Sequence, residues 1–372
     1  MIDPFTGLAP ANIEALVPYE PGKPVEELER ELGVHDAIKL ASNENPVGPS
    51  PLGVAAAQAA LAGVNRYPDG ASFRLRAALA EHVGVPANHI IVGSGSSELI
   101  DLAVRVFCRA GEDEVVTHRY AFLSYKLVSQ AHAVAFREVD VAPDLSVDVE
   151  ALCAAIGPRT KVVFLPNPNN PTGRHLDRAV LGRIIDRLPP RVLLVVDEAY
   201  FEYAEGAPGY ESALGFRERH PLLLCLRTFS KIYGLAALRV GYGVADPRVV
   251  GYMNRVRPVF NVSTVGQEAA RAALADTAHV ERSRRVNAEG LEQLRAGLAA
   301  LPVRVIPTAA NFILVDLGRD AEPIYQRLLR TGVIVRPLRP QGLAEHVRVT
   351  VGTRAENERL LAALTEILGA GA

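Results

Sequence analysis

Between residues 89 and 245 the sequence returns seven times to a short apolar run: HIIVG (89–93), EVVTH (114–118), AVAFREV (133–139), KVVFLP (161–166), VLLVVD (192–197), PLLLCLRTF (221–229) and RVGYGVA (239–245). Most of these runs have no polar alternation, so a strand made from them has no face to offer to water. The spacers include SSELIDLAVRVF and DRAVLGRIIDRL, whose apolar residues recur at three and four, the period of an amphipathic helix. Strand and helix alternating in this way predict a three-layer α/β domain over about residues 50–250, with helices on both faces of a mostly parallel sheet.

Past Pro258 the pattern changes. A long helical stretch over roughly 262–300 leads to strands in PVRVIP, NFILVDL, GVIVRP and HVRVTVG, and ENERLLAALTEIL reads as a closing helix. The expected division is an N-terminal arm with part of the small domain (1–49), a large α/β domain (50–257) and a small α+β domain (258–372). A chain of 372 residues that is 49% hydrophobic is long enough for two such cores.

Charge and cysteine usage narrow the function classes. Basic and acidic side chains number 40 and 42, a net charge of -2, which supplies no basic field for nucleic acid or an anionic membrane. Neither a basic flank with an apolar core near the N-terminus nor an apolar run of ~18 residues is present, so no signal peptide or membrane span is expected. Cys108, Cys153 and Cys225 are odd in number and far apart, as reduced core thiols are; no metal site is expected, and a cytoplasmic enzyme is.

Four stretches at the expected C-terminal strand ends carry chemistry, since open α/β sheets bind ligands there. GSGSSE (93–98) follows a strand and opens a helix, so Ser96, Ser97 and the free amides can hold a phosphate; alone it reads more readily as an ordinary βα turn. It contains neither a P-loop lysine nor the third glycine of a dinucleotide fingerprint. VVDEAY puts Asp197 at the end of a buried strand, where a carboxylate needs a cation or hydrogen-bond donors, with Tyr200 three residues on. PNPNNPTG (166–173) is a rigid polar turn in which Asn170, ahead of a proline, is biased to an extended conformation.

The fourth stretch is TFSKIYGLAALRVG (228–241). Lysine is scarce in this chain, occurring at 23, 39, 126, 161 and 231, so Lys231 is not one of many surface amines. It stands beside the hydroxyls of Thr228 and Ser230, with Arg239 eight residues on. A lysine desolvated near another cation is neutral and nucleophilic at physiological pH, and such an amine forms imines. A Schiff-base lysine, a phosphate cup and a buried carboxylate for a pyridinium nitrogen together meet the needs of pyridoxal 5'-phosphate (PLP).

In this order, NPNNPTG, VVDEAY and TFSKxxxLAxLRxG resemble the fold-type I aminotransferases of the aspartate aminotransferase superfamily. KLASNENPVGPSP (39–51) and NRYPDG (65–70) resemble, more narrowly, the histidinol-phosphate aminotransferase family. The resemblance implies a PLP enzyme exchanging an amino group between histidinol phosphate and 2-oxoglutarate, in histidine biosynthesis. It implies that Lys231 forms the Schiff base and moves the proton, and that Asp197 keeps the pyridine nitrogen protonated. Asn170 and Tyr200 would bond the ring oxygen, and Phe122 would stack on the ring. Ser96, Ser97, Thr228, Ser230 and Arg239 would hold the phosphate, joined by Tyr67 from the second subunit of a homodimer. Substrate contacts fall to Tyr19, Asn45, Arg336 and Arg348.

Two departures stand out: Ala237 where glycine is usual, and HRYAF in place of a proline-rich lead-in to Phe122. The resemblance also leaves two neighbouring activities open, an aromatic aminotransferase and a threonine-phosphate decarboxylase.

Overall fold

The computed structural model describes residues 7–18 and 22–369. In chain order the strands are β1 (Ile38–Lys39), β2 (Ile90–Gly93), β3 (Glu114–His118), β4 (Ala135–Val139), β5 (Thr160–Pro166), β6 (Leu193–Asp197), β7 (Leu223–Thr228), β8 (Gly241–Ala245), β9 (Arg304–Ile306), β10 (Phe312–Asp316), β11 (Val333–Ile334), β12 (Arg336–Leu338) and β13 (Leu343–Thr350). All seven runs of the α/β region become strands of one sheet, in the order β2-β8-β7-β6-β5-β3-β4. Only β8 runs against its neighbours; the others are parallel.

Adjacent residues of the central strands point to opposite faces, and both faces are covered. Val162 and Phe164 of β5 meet the helices Ser96–Phe107 and Pro247–Val256 in one core, whereas Val163 and Leu165 meet the helices Val149–Ala155 and Arg178–Arg187 in another. This two-sided burial is the physical reason the runs read as continuously apolar.

The smaller sheet has the order β12-β13-β10-β9 and is antiparallel. GVIVRP, expected as one strand, divides: β11 pairs in parallel with β1 from the N-terminal arm, and β12 joins the small sheet. The arm is thereby tied to the C-terminal region through Ile38–Val333 and Lys39–Ile334 pairing.

The helical stretch expected over 262–300 also divides, into Thr264–Ala273 and Thr277–Leu298. Ala269, Ala270 and Ala273 of the first pack with Leu75, Val92 and Phe229 beside the large sheet, while Leu291, Leu294 and Leu298 of the second pack with Ile313, Val315 and Val349 of the small one. The break is set by Asp276, which accepts from the His279 N–H and caps the second helix. The same carboxylate accepts from the Ser50 hydroxyl, at the point where the arm enters the large sheet's lobe. Ser50, the cap of the helix Pro51–Ala60, is thereby bonded to the break between the two later helices.

Candidate active site

A cavity of ≈ 200 Å³ opens at the C-terminal ends of β5, β6 and β7. Asp197 is the last residue of β6, Pro166 the last of β5 and Thr228 the last of β7, and all three line it. Because β8 runs antiparallel to β7, with Thr228 opposite Gly241, the chain returns to the same edge. That return brings Arg239 to the loop holding Thr228, Ser230 and Lys231.

The anion-facing corner is built from backbone fit as much as from side chains. Gly95, at φ +76°, precedes the helix Ser96–Phe107, and a Cβ there would meet the Arg239 guanidinium at 2.5 Å. A Cβ on Gly241 would meet the Ser96 amide nitrogen at 2.4 Å. Glu98 reaches back from the first turn to accept from the Ser94 N–H at 2.6 Å, fixing how the turn enters the helix. The Ser230 hydroxyl accepts from Arg239 at 3.2 Å, and the Thr228 hydroxyl accepts from the Ser230 N–H at 3.1 Å. Ser96, Ser97, Thr228, Ser230 and Arg239 thus converge beside a free helix N-terminus, a donor set for a phosphate.

Lys231 lies half-buried on the cavity wall, its Nζ donating to the Ser42 carbonyl at 3.2 Å. Burial first, then the charge of Arg348, lowers its pKa to about 8. Asp197 is moved the other way: burial raises it to about 6, against the hydrogen bonds from Tyr125 and the Ala199 N–H and the charge of Lys231. Environment brings the amine and the carboxyl toward neutrality from opposite sides, as in sites of proton chemistry.

The facing wall comes from the small sheet. Arg336 on β12 and Arg348 on β13 are directly paired across the strands, and both line the cavity. The register therefore turns two guanidinium groups from neighbouring strands toward the same cavity. Arg348 is held in place: its guanidinium donates to Asn170 Oδ1 and to the Ala41 carbonyl, and lies 5.4 Å over the Phe312 ring. Tyr200 accepts from Asn43 Nδ2 at 2.8 Å, and its ring sits 5.8 Å from the Lys231 amine. Phe122 closes another side.

Of the residues singled out from sequence, Ser96, Ser97, Phe122, Asn170, Asp197, Tyr200, Thr228, Ser230, Lys231, Arg239, Arg336 and Arg348 are brought together here. Asn45 is not. Its amide donates to the Ile232 carbonyl and the Ser283 hydroxyl, and Asn43, two residues earlier, takes the place on the cavity. Tyr67 stands away from the cavity, 82% exposed and stacked on Phe260 at 4.8 Å. Tyr19 lies outside the described residues. Residues unassigned from sequence include Ser42, whose carbonyl takes the Lys231 amine, Asn43, visible within SNENP, and Tyr125, whose hydroxyl donates to Asp197.

The two departures are absorbed. Ala237 is exposed in the single turn Ala236–Leu238, where the backbone is not left-handed, so nothing there requires glycine. Gly234 does require it: at φ +67° a Cβ would meet the Gly48 carbonyl oxygen at 2.2 Å. In HRYAF, Tyr120 takes the positive φ of 59° and its ring packs by Leu338 and Leu343, leaving Phe122 on the cavity.

Residues 35–364 match the model of the class I and II aminotransferases. A histidinol-phosphate aminotransferase of Anaeromyxobacter sp. (strain Fw109-5) is 49% identical over 98% of this chain and 100% of its own length. Among solved structures, a histidinol-phosphate aminotransferase from Sinorhizobium meliloti in complex with pyridoxal-5'-phosphate superposes with a TM-score of 0.88 at 31% identity, covering 98% of this chain and 99% of that one. The aspartate aminotransferase of Thermus thermophilus with maleate gives 0.84 at 26% identity, over 97% and 99%. The chain belongs to the class I and II aminotransferase family.

Proposed function

We propose that this chain is a PLP-dependent aminotransferase that exchanges the amino group of histidinol phosphate with 2-oxoglutarate, giving imidazole acetol phosphate and glutamate. The observation that carries the reading is one cavity holding a lysine whose pKa is lowered to about 8, a buried carboxylate, a phosphate cup and an arginine pair. The nearly full-length likeness to histidinol-phosphate aminotransferases supports the substrate.

The residues fit PLP by their chemistry. The hydroxyls, amides and Arg239 suit its phosphate, the buried Asp197 suits a protonated ring nitrogen, and the flat side of Phe122 suits an aromatic face. When bound, PLP supplies an aldehyde for imine formation and a ring that accepts an electron pair.

Lys231 acts as nucleophile, and as the base that takes a proton from the substrate Cα and returns it on the far side of the exchange. Asp197 holds a proton at the ring nitrogen. Asn170 and Tyr200 orient the ring oxygen, and each is itself fixed, by Arg348 and Asn43. Arg348 and Arg336 receive the substrate's anionic end, which explains how one site takes both a phosphate monoester and a dicarboxylate.

The active unit we propose is a C2 homodimer in the cytoplasm. Support for the dimer is the exposed apolar group Tyr67, Val259 and Phe260, which a second copy can cover and from which Tyr67 can reach the neighbour's phosphate site. Sedimentation velocity checks the dimer.

The function is tested by adding PLP, then following loss of the visible band with histidinol phosphate, phenylalanine, tyrosine or O-phosphothreonine as sole donor. Fast conversion with histidinol phosphate alone is expected. Preference for phenylalanine, or carbon dioxide release from O-phosphothreonine, would overturn the substrate.

A further inference from the structure

The carboxylate of Asp197 is held from two directions. Its Oδ2 accepts from the Tyr125 hydroxyl at 2.9 Å, and its Oδ1 accepts from the Ala199 N–H at 3.2 Å. Tyr125 comes from a separate element, the helix Ser124–Ala131, and is fully buried. Its ring stacks on Phe164 of β5 at 4.3 Å and 3°, and meets Phe122 edge-on at 5.8 Å and 89°. Its backbone carbonyl accepts from the Ser129 hydroxyl at 2.8 Å.

Packing alone does not call for a tyrosine here. A phenylalanine would fill the same space between Phe122 and Phe164 without a buried hydroxyl, which destabilises the fold when left without a partner. The hydroxyl's acceptor is the one carboxylate that faces the cavity from the end of β6. Ring and hydroxyl together link two parts of the site: Phe122, the flat wall, and Asp197, the acidic end.

We propose that Tyr125 is a positioning residue for Asp197, fixing the carboxylate plane and holding it as an anion toward a protonated aromatic nitrogen in the cavity. The assignment rests on the PLP reading above. A donor on one oxygen and an amide on the other stop the carboxylate from rotating, so its remaining lone pairs keep one direction. The same donor opposes the desolvation that drives the carboxyl toward its neutral form. Burial pushes the phenol's own titration far up, so the proton of this bond stays on the tyrosine. The other ionisable neighbours of Asp197 are Lys231, from the loop after β7, and Glu198, next along the chain.

The test is Tyr125→Phe, which keeps the ring and both aromatic contacts. In the cofactor-free protein, the carbon-13 carboxyl titration of Asp197 is expected to move up by about 1 pH unit. In the PLP-loaded protein, the nitrogen-15 signal of the ring nitrogen is expected to move toward its unprotonated position. The turnover number is expected to fall about tenfold with little change in KM, a loss confined to the transition state.

Lower thermal stability with both spectra unchanged would mean that Tyr125 only fills space, and overturns the proposal. Failure of the wild-type protein to take up PLP would sink the cofactor reading instead, while the carboxyl titration still judges the tyrosine–aspartate bond. Should the phenylalanine variant not fold, 3-fluorotyrosine at position 125, a stronger donor, is expected to move the same titration down; no movement overturns the proposal.

Discussion

The wall of the cavity on the large sheet and the wall on the small sheet are made differently. On the first, Ser96, Asn170, Asp197 and Lys231 stand at or just past the end of a strand, each at a different strand. On the second, Arg336 and Arg348 are set within two antiparallel strands and become neighbours only through register. Turns after parallel strands collect unlike groups at one edge, suited to gripping an invariant cofactor. Paired strand positions bring two like charges side by side, the arrangement the proposed anion site uses.

Lys231→Ala gives the largest effect expected from the first wall. Turnover should fall on the order of 10⁴-fold with the visible band of bound PLP lost, read by absorbance and steady-state kinetics. Retained turnover would remove the chemistry from that wall altogether.

Arg348→Ala strikes the second wall. A buried charge-assisted contact is worth about 1.5–3 kcal/mol, so kcat/KM should fall about 10–100-fold for both histidinol phosphate and 2-oxoglutarate, with PLP affinity held. A loss confined to one substrate would mean that the arginines do not act as a shared anion site.

The pH response sharpens the contrast further. Lys231 must be neutral to attack, and its lowered value of about 8 puts the change near there, so the rate of PLP capture by the cofactor-free protein should rise about tenfold per unit below pH 8 and level above it. A plateau reached only near pH 10 would show an amine without that environment. Ala237→Gly should be the smallest perturbation, about 0.5 kcal/mol or less in stability and no change in PLP affinity, checked by thermal melting and cofactor titration.

The same contrast explains how much could be read from sequence. The α/β lobe was legible because two-sided burial writes itself as unbroken apolar runs, and its wall because each turn is contiguous. Arg336 and Arg348 could be named individually, but their pairing depends on a register that no short motif encodes. Asn43 and Asn45 share a motif and lie two residues apart, and only the left-handed backbone at Asn43, φ 55°, and the long-range bonds of Asn45 decide which reaches the cavity. The division of GVIVRP between two sheets and the break before Asp276 follow from partners distant in the chain. Tyr125 was hidden for a related reason, since its partner lies 72 residues away.

The Ser50–Asp276 contact joins two helix starts through one carboxylate. Asp276 takes the Ser50 hydroxyl and the Leu52 N–H at the start of the helix Pro51–Ala60, and the His279 N–H at the start of the helix Thr277–Leu298. Each helix leaves unpaired amides and a partial positive charge at its first turn, and a single anion answers both. Loss of that one charge would loosen two segments 226 residues apart in the chain.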